Sequence, residues 1–118
     1  MRLVVAGVCV SGKTTLVKSL QDLGFDALNV AQEHSTIKKL WNHKEPDILV
    51  VLDAQLASIR QRRIVPWGEE RLAVQRERLS DAFEHADVYI HTDDLSKDDI
   101  VQHVLEHIRR HNHAKSYC

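Results

Sequence analysis

The stretch Gly7-Val8-Cys9-Val10-Ser11-Gly12-Lys13-Thr14 constrains this chain more than any other. It satisfies G-x-x-x-x-G-K-[ST], a spacing that carries chemistry when a strand precedes it and a helix follows. Both neighbours are legible. Leu3-Val4-Val5-Ala6 leads in, too short for a helix and Val-rich as a buried strand is. Leu16, Val17, Leu20 and Leu23 share a helical face on the way out, and Gly24 supplies a stop. Gly7 and Gly12 admit backbone conformations closed to other residues. The N–H groups from Gly7 through Val8, Cys9, Val10, Ser11, Gly12, Lys13, Thr14 and Thr15 then form an anion nest, reinforced by the positive end of the helix. In such a nest Lys13 reaches the β- and γ-phosphates of a nucleotide, and the Thr14 hydroxyl ligates Mg²⁺. The expected cofactors are ATP or GTP, with Mg²⁺.

A chain of 118 residues with 43% hydrophobic and 28% charged residues suits one globular domain over residues 1–118. That length is small for a nucleotide-binding α/β fold, which implies trimming. A formal net charge of −1 argues against nucleic-acid or membrane partners through bulk electrostatics. Eight His make the charge sensitive to pH near neutrality. Cys9 and Cys118 form no disulfide framework, and free thiols suit a reducing cytoplasm. Cys9 is either a redox handle on the loop or the occupant of a free motif position. The N-terminus has neither the charged and apolar regions nor the cleavage site of a signal peptide. No apolar run has the length of a membrane span.

Further along, Phe25 to Ala31 reads as a second strand, with the polar Gln32-Glu33-His34-Ser35 as the loop at its end. A short helix is predicted over Thr36–Trp41, with Ile37, Leu40 and Trp41 inward, then a turn over Asn42–Asp47. Ile48-Leu49-Val50-Val51-Leu52-Asp53 is apolar up to its Asp, the pattern of a parallel strand covered on both faces. Helices are predicted over Gln55–Arg63 and Glu69–His85, separated by Ile64-Val65-Pro66-Trp67-Gly68. Asp87-Val88-Tyr89-Ile90 is a fourth strand and His91–Asp94 its terminal loop. Ser96 caps a last helix that buries Ile100, Val101, Val104, Leu105 and Ile108, and the tail His111–Cys118 is predicted to be loose. Strands alternating with helices give an α/β fold with a parallel sheet and right-handed crossovers. Ligands of such sheets bind at the carboxyl ends of the strands. The glycine loop, the Gln32–Ser35 loop, Asp53 and the His91–Asp94 loop therefore share one rim.

On Gly7–Thr15, Ile48–Asp53 and Ile59-Arg60-Gln61-Arg62-Arg63, the chain resembles P-loop kinases of the adenylate kinase and shikimate kinase type. The resemblance implies a three-layer P-loop fold in which Arg62, or next Arg63, stacks on adenine. It implies a lid over Ile64–Arg78 carrying Arg71, Arg76 and Arg78, and a last strand and helix over Ala86–Ile108. The acceptor-binding insertion of those kinases is almost absent here. Ala31-Gln32-Glu33-His34 with Leu40-Trp41 and Ile48–Asp53 is also similar to Ras-like and Arf-like GTPases. There Gln32 would orient water, with Asn29 and Ala31 replacing the usual Asp and Gly; no Asn-Lys-x-Asp guanine motif is found. Both resemblances imply a sheet of about four strands in the order 2-1-3-4, with the Gln32–Ser35 loop facing the γ-phosphate.

Phosphoryl transfer needs charge neutralisation, a metal and a positioned nucleophile. The catalytic candidates are Lys13, Glu33, Gln32 and His34: Glu33 as general base or metal contact, His34 or Gln32 to position water or a hydroxyl. The metal candidates are Thr14, Asp53 and Glu33; Asp53 has the rival role of capping the next helix. Trp67 either closes over a base or anchors packing. His103 and His107 have a metal-compatible spacing that His111 extends, but no Cys or carboxylate completes the set. The expected activity is that of a minimal ATP-dependent phosphotransferase or slow ATPase, with a nucleotide and a small-molecule or protein acceptor as partners. The alternative is a GTPase-like or non-catalytic nucleotide-binding regulator. Exposed strand edges leave a homodimer open.

Overall fold

A computed structural model describes residues 1–116, with side chains through Arg110. The elements are β1 (Arg2–Gly7), α1 (Lys13–Asp22), β2 (Asp26–Asn29), two 3-10 turns (Gln32–His34 and Leu40–Lys44) and β3 (Ile48–Asp53). Then come α2 (Leu56–Arg62), α3 (Glu69–Arg78), α4 (Ser80–His85), β4 (Val88–His91) and α5 (Lys97–Ser116). All four strands are parallel, in the order β2-β1-β3-β4, which is the order expected. Val5 sits between Asn29 and Val50, and Leu52 pairs with Ile90.

The central strands are apolar on both faces because both faces are covered. Leu3 and Val5 look toward Leu16 and Leu20 of α1 and Val104 and Ile108 of α5. Val4 and Ala6 look the other way, toward Trp41, Ile59, Leu72 and Leu79. All six positions of β3 are buried. Burying a Val, Leu or Ile side chain stabilises by about 1.5–3 kcal/mol, so β3 and its flanking helices anchor the fold.

The helix that follows the glycine loop buries Leu16, Val17 and Leu20 as expected, but Leu23 is its C-cap and is exposed. At Ser96 the expected cap is formed: the Asp99 N–H donates to Ser96 Oγ at 3.0 Å and the Ser96 N–H to Asp99 Oδ2 at 3.0 Å. Two expected helices are corrected, and one residue accounts for both. The segment Thr36–Trp41 is not a helix; a 3-10 turn begins only at Leu40, and Ile37 is exposed. The fully buried Gln32 amide donates to the Ile37 carbonyl at 2.7 Å and accepts from the Trp41 N–H at 3.0 Å. Those are the carbonyl and N–H that an α-helical turn would have joined. The expected single helix Glu69–His85 is divided at Leu79 into α3 and α4, where the Arg78 carbonyl accepts from Gln32 at 3.2 Å. The second strand is shorter than expected, Asp26–Asn29, and the fourth is shifted by one residue.

No described helix is long and apolar enough to cross a membrane. The tail expected to be loose from His111 is instead helical as far as Ser116, because α5 continues to that residue; the last two positions of that expectation lie outside the described residues.

Candidate functional site

A cleft of about 850 Å³ opens at the carboxyl ends of the strands, over the start of α1. It lies at β1, where the chain crosses to β2 on one side and β3 on the other, the place where open parallel sheets bind ligands. Val10 through Leu16 form one wall, and Asn29, Glu33, Arg62, Arg63 and the Leu95–Lys97 segment complete it.

The loop conformation follows from close packing at one end and a left-handed turn at the other. A Cβ on Gly7 would lie 2.4 Å from the Leu52 carbonyl oxygen and 2.9 Å from Ser11 Oγ, so β1 meets β3 here without room for any side chain. Gly12 has φ 106°, a conformation that favours glycine, and its carbonyl accepts from Leu16 N–H at 3.0 Å to begin α1. Val10 also has positive φ, 61°. The first turn of α1 leaves N–H groups without intrahelical acceptors, and these residues border the cleft.

Lys13 does not extend into open space. Its Nζ donates to the Gly7 carbonyl at 2.8 Å and forms a close ion pair with Glu33 Oε2. The two side chains are 10% and 4% exposed, so the pair is largely withdrawn from water. The other Glu33 oxygen, Oε1, is buried without a partner, as is Ser11 Oγ. A buried carboxylate oxygen left unpaired is costly, and it leaves Glu33 with unused acceptor capacity in the cleft wall. Thr14 Oγ1 accepts from Asn29 Nδ2 at 3.4 Å.

His34 places Nε2 3.2 Å from Cys9 Sγ and 3.8 Å from Glu33 Oε2. Burial pushes the Cys9 thiol above its ordinary range, the Glu33 charge adds to this, and Lys13, Arg63 and Arg71 oppose it. Cys9 is therefore a protonated thiol at neutral pH rather than an activated nucleophile. Arg62 donates to the Val10 carbonyl at 3.0 Å and to Thr92 Oγ1 at 3.1 Å, so it ties the glycine loop to the end of β4.

Several expected site residues are placed elsewhere. Gln32 does not border the cleft; its amide is consumed by backbone groups of the neighbouring turn and of α3. Asp53 does not border it either. Its Oδ1 accepts from the Ala54 N–H at 2.9 Å and from Arg76 Nε at 3.3 Å, and its Oδ2 from the Tyr89 hydroxyl at 2.8 Å. Nor does it cap α2, whose N-cap is Gln55. Of the expected lid arginines, Arg76 is spent on Asp53 and the Ala54 carbonyl, and Arg78 approaches the Glu33 carbonyl at 3.5 Å. Trp67 packs against the apolar cluster around Leu72.

Gln75 was not singled out in the sequence, yet its buried amide oxygen accepts from the Cys9 N–H at 2.8 Å and holds the loop. The available signal was a lone Gln in the helical row Leu72, Gln75, Leu79. In the sequence Asn29 enters only as the substitute for an Asp in the GTPase-like resemblance and Ser96 only as a helix cap, while Leu95 and Lys97 carry no local signal. Among the described residues, groups able to offer three metal donors are Cys9–Glu33–His34 and Asp81–Glu84–His85. The His103–His107 row is not among them, and the His111 side chain lies outside the described residues. No protein-family model and no curated protein matches this chain.

Proposed function

We propose that the chain binds a nucleoside triphosphate with Mg²⁺ in this cleft, ATP by its likeness to the small P-loop kinases, and acts as a kinase-like phosphotransferase or slow ATPase. The observation that carries the reading is the opening of the α1 N-terminus, with Lys13 beside it, onto a cleft of about 850 Å³ at the sheet's crossing point. N–H groups at a helix start and a lysine favour a polyphosphate there. The donors also suit Mg²⁺, a hard ion that takes oxygen ligands and keeps substrate phosphates in its shell. Thr14 Oγ1 and the unpartnered Glu33 Oε1 would hold it, and the ion would neutralise charge on the phosphates. Asp53 does not fit that role, since its oxygens are already used. Lys13 must exchange Glu33 for a phosphate oxygen as the nucleotide enters. That exchange frees Glu33 to orient a water or hydroxyl in the cleft. The GTPase-like alternative loses its water-orienting Gln32, which is buried and engaged.

The test is calorimetric titration of ATP and of GTP, each with Mg²⁺, into the wild type and a folded Lys13→Ala variant. ATP binding should weaken by about 100-fold in Lys13→Ala, the scale of a lost charge-assisted contact. Equal binding by both proteins, or binding of neither nucleotide to the wild type, would overturn the proposal. Preference for GTP would move the reading to the regulator class.

A further inference from the structure

Cys9 and Glu33, which border the cleft, and the neighbouring His34 each offer one ligand atom, and these atoms all lie within 4.8 Å of one another. The set unites two segments that are distant in sequence, the glycine loop and the turn after β2. Both are held by backbone and buried polar contacts. The Cys9 N–H is bound to Gln75, and the His34 N–H donates to the Ala31 carbonyl at 3.2 Å. We infer that Cys9 Sγ, His34 Nε2 and a Glu33 carboxylate oxygen form a site for a borderline-soft divalent cation of the zinc class.

Sγ and Nε2 stand 3.2 Å apart, and Nε2 and Oε2 3.8 Å. Ligand bonds of about 2.3 Å to sulfur and about 2.0 Å to nitrogen or oxygen span such separations around one tetrahedral ion. The Glu33 carboxylate, with Lys13 on Oε2 only, keeps capacity for a cation when no nucleotide-bound Mg²⁺ draws on it. The Glu33 side chain is 4% exposed, yet its Oε1 has no partner, so one buried acceptor is left for a positive group that Lys13 does not supply. Half-exposed His34 gives an access route from solvent. The donor set also selects the ion. Thiolate and imidazole favour Zn²⁺ or Co²⁺ over Mg²⁺, so this site and the oxygen site at Thr14 differ in chemistry although both draw on Glu33.

Binding replaces the thiol proton shared between Cys9 and His34: the S–H bond breaks, the proton leaves to solvent, and a sulfur–metal bond forms. Three protein donors leave a fourth tetrahedral position, and Cys9 and Glu33 both border the cleft. The Lys13 ammonium competes for Glu33, so removing it should strengthen the metal. The inference stands on these donors and not on nucleotide binding.

Co²⁺ is the probe, added without nucleotide to the chain carrying Cys118→Ser, so that Cys9 is the sole thiol. One equivalent should produce a thiolate-to-cobalt charge-transfer band that Zn²⁺ displaces. His34→Ala should weaken Co²⁺ by about 10-fold or more, as expected for loss of a metal-site partner, and Cys9→Ser should abolish the band. Lys13→Ala should keep the band and tighten it even where nucleotide binding is lost, which separates this inference from the proposed function. Absence of the band in the Cys118→Ser chain, or a band unchanged by His34→Ala, would overturn the site.

Discussion

Glu33 and Asp53 are both buried carboxylates on the rim formed by the strand ends, one just after β2 and the other closing β3. Their surroundings differ. Asp53 is saturated: a backbone N–H, a guanidinium and a phenol share its two oxygens. Glu33 holds one ammonium, borders the cleft and keeps an oxygen without a partner. A saturated buried carboxylate locks elements together, here β3 to α3 and β4. A half-satisfied one beside open volume retains capacity for a ligand. The sequence offered both as metal candidates, and in the fold Asp53 is the one whose oxygens are taken up by neighbouring elements.

Substitutions at the two sites should separate stability from binding. Asp53→Ala strands Arg76 and the Tyr89 hydroxyl together, and should lower unfolding free energy by about 2–3 kcal/mol. Urea denaturation reads that loss, and ATP affinity should stay within about twofold; a large affinity loss in the folded variant would erase the contrast. Glu33→Gln removes the charge that holds Lys13. It should cost only about 1 kcal/mol, because a neutral amide still accepts from the ammonium. Nucleotide binding without Mg²⁺ should tighten several-fold as Lys13 is released, while any phosphate release in a coupled assay should fall by about 100-fold. Loss of binding together with turnover would place Glu33 in the same structural class as Asp53.

The smallest effect belongs to Tyr89→Phe, about 1 kcal/mol for one hydrogen bond. Its pH dependence is more informative. Burial, with the Asp53 hydrogen bond and charge behind it, raises the Tyr89 hydroxyl above its ordinary value of 10.0. A raised pKa means that the fold favours the neutral phenol. Its contribution is complete below about pH 10 and is lost as pH rises past that value toward the folded-state pKa. Thermal unfolding from pH 8 to 11 should show the wild type losing stability above about pH 10, and Tyr89→Phe losing less of it. A parallel decline in both proteins would show that the Asp53 network does not couple to the phenol.

Legibility followed the range of the interactions. The Leu3–Ala6 and Ile48–Leu52 runs were readable because a strand covered on both faces must be apolar at successive positions. The Ser96 cap and the face of Leu16, Val17 and Leu20 were readable because their partners lie within one or two turns. Gln32 was misleading for the opposite reason. Its amide bonds Ile37, Trp41 and Arg78, and the last contact spans 46 positions in the chain. No local pattern carries such a contact. It also interrupts two stretches whose own periodicity is helical.

The amino-acid sequence by itself determined the glycine loop, the alternation of strands and helices and the rim on which polar residues gather, because propensity, glycine geometry and apolar period act over a few residues. The tertiary structure decided which rim groups are spent and which are open. It closed Lys13 on Glu33, buried Gln32, tied Asp53 to Tyr89 and Arg76, and set Cys9 against His34. A side chain's remaining hydrogen-bonding capacity depends on partners brought from distant segments, and only the packed fold brings them within reach.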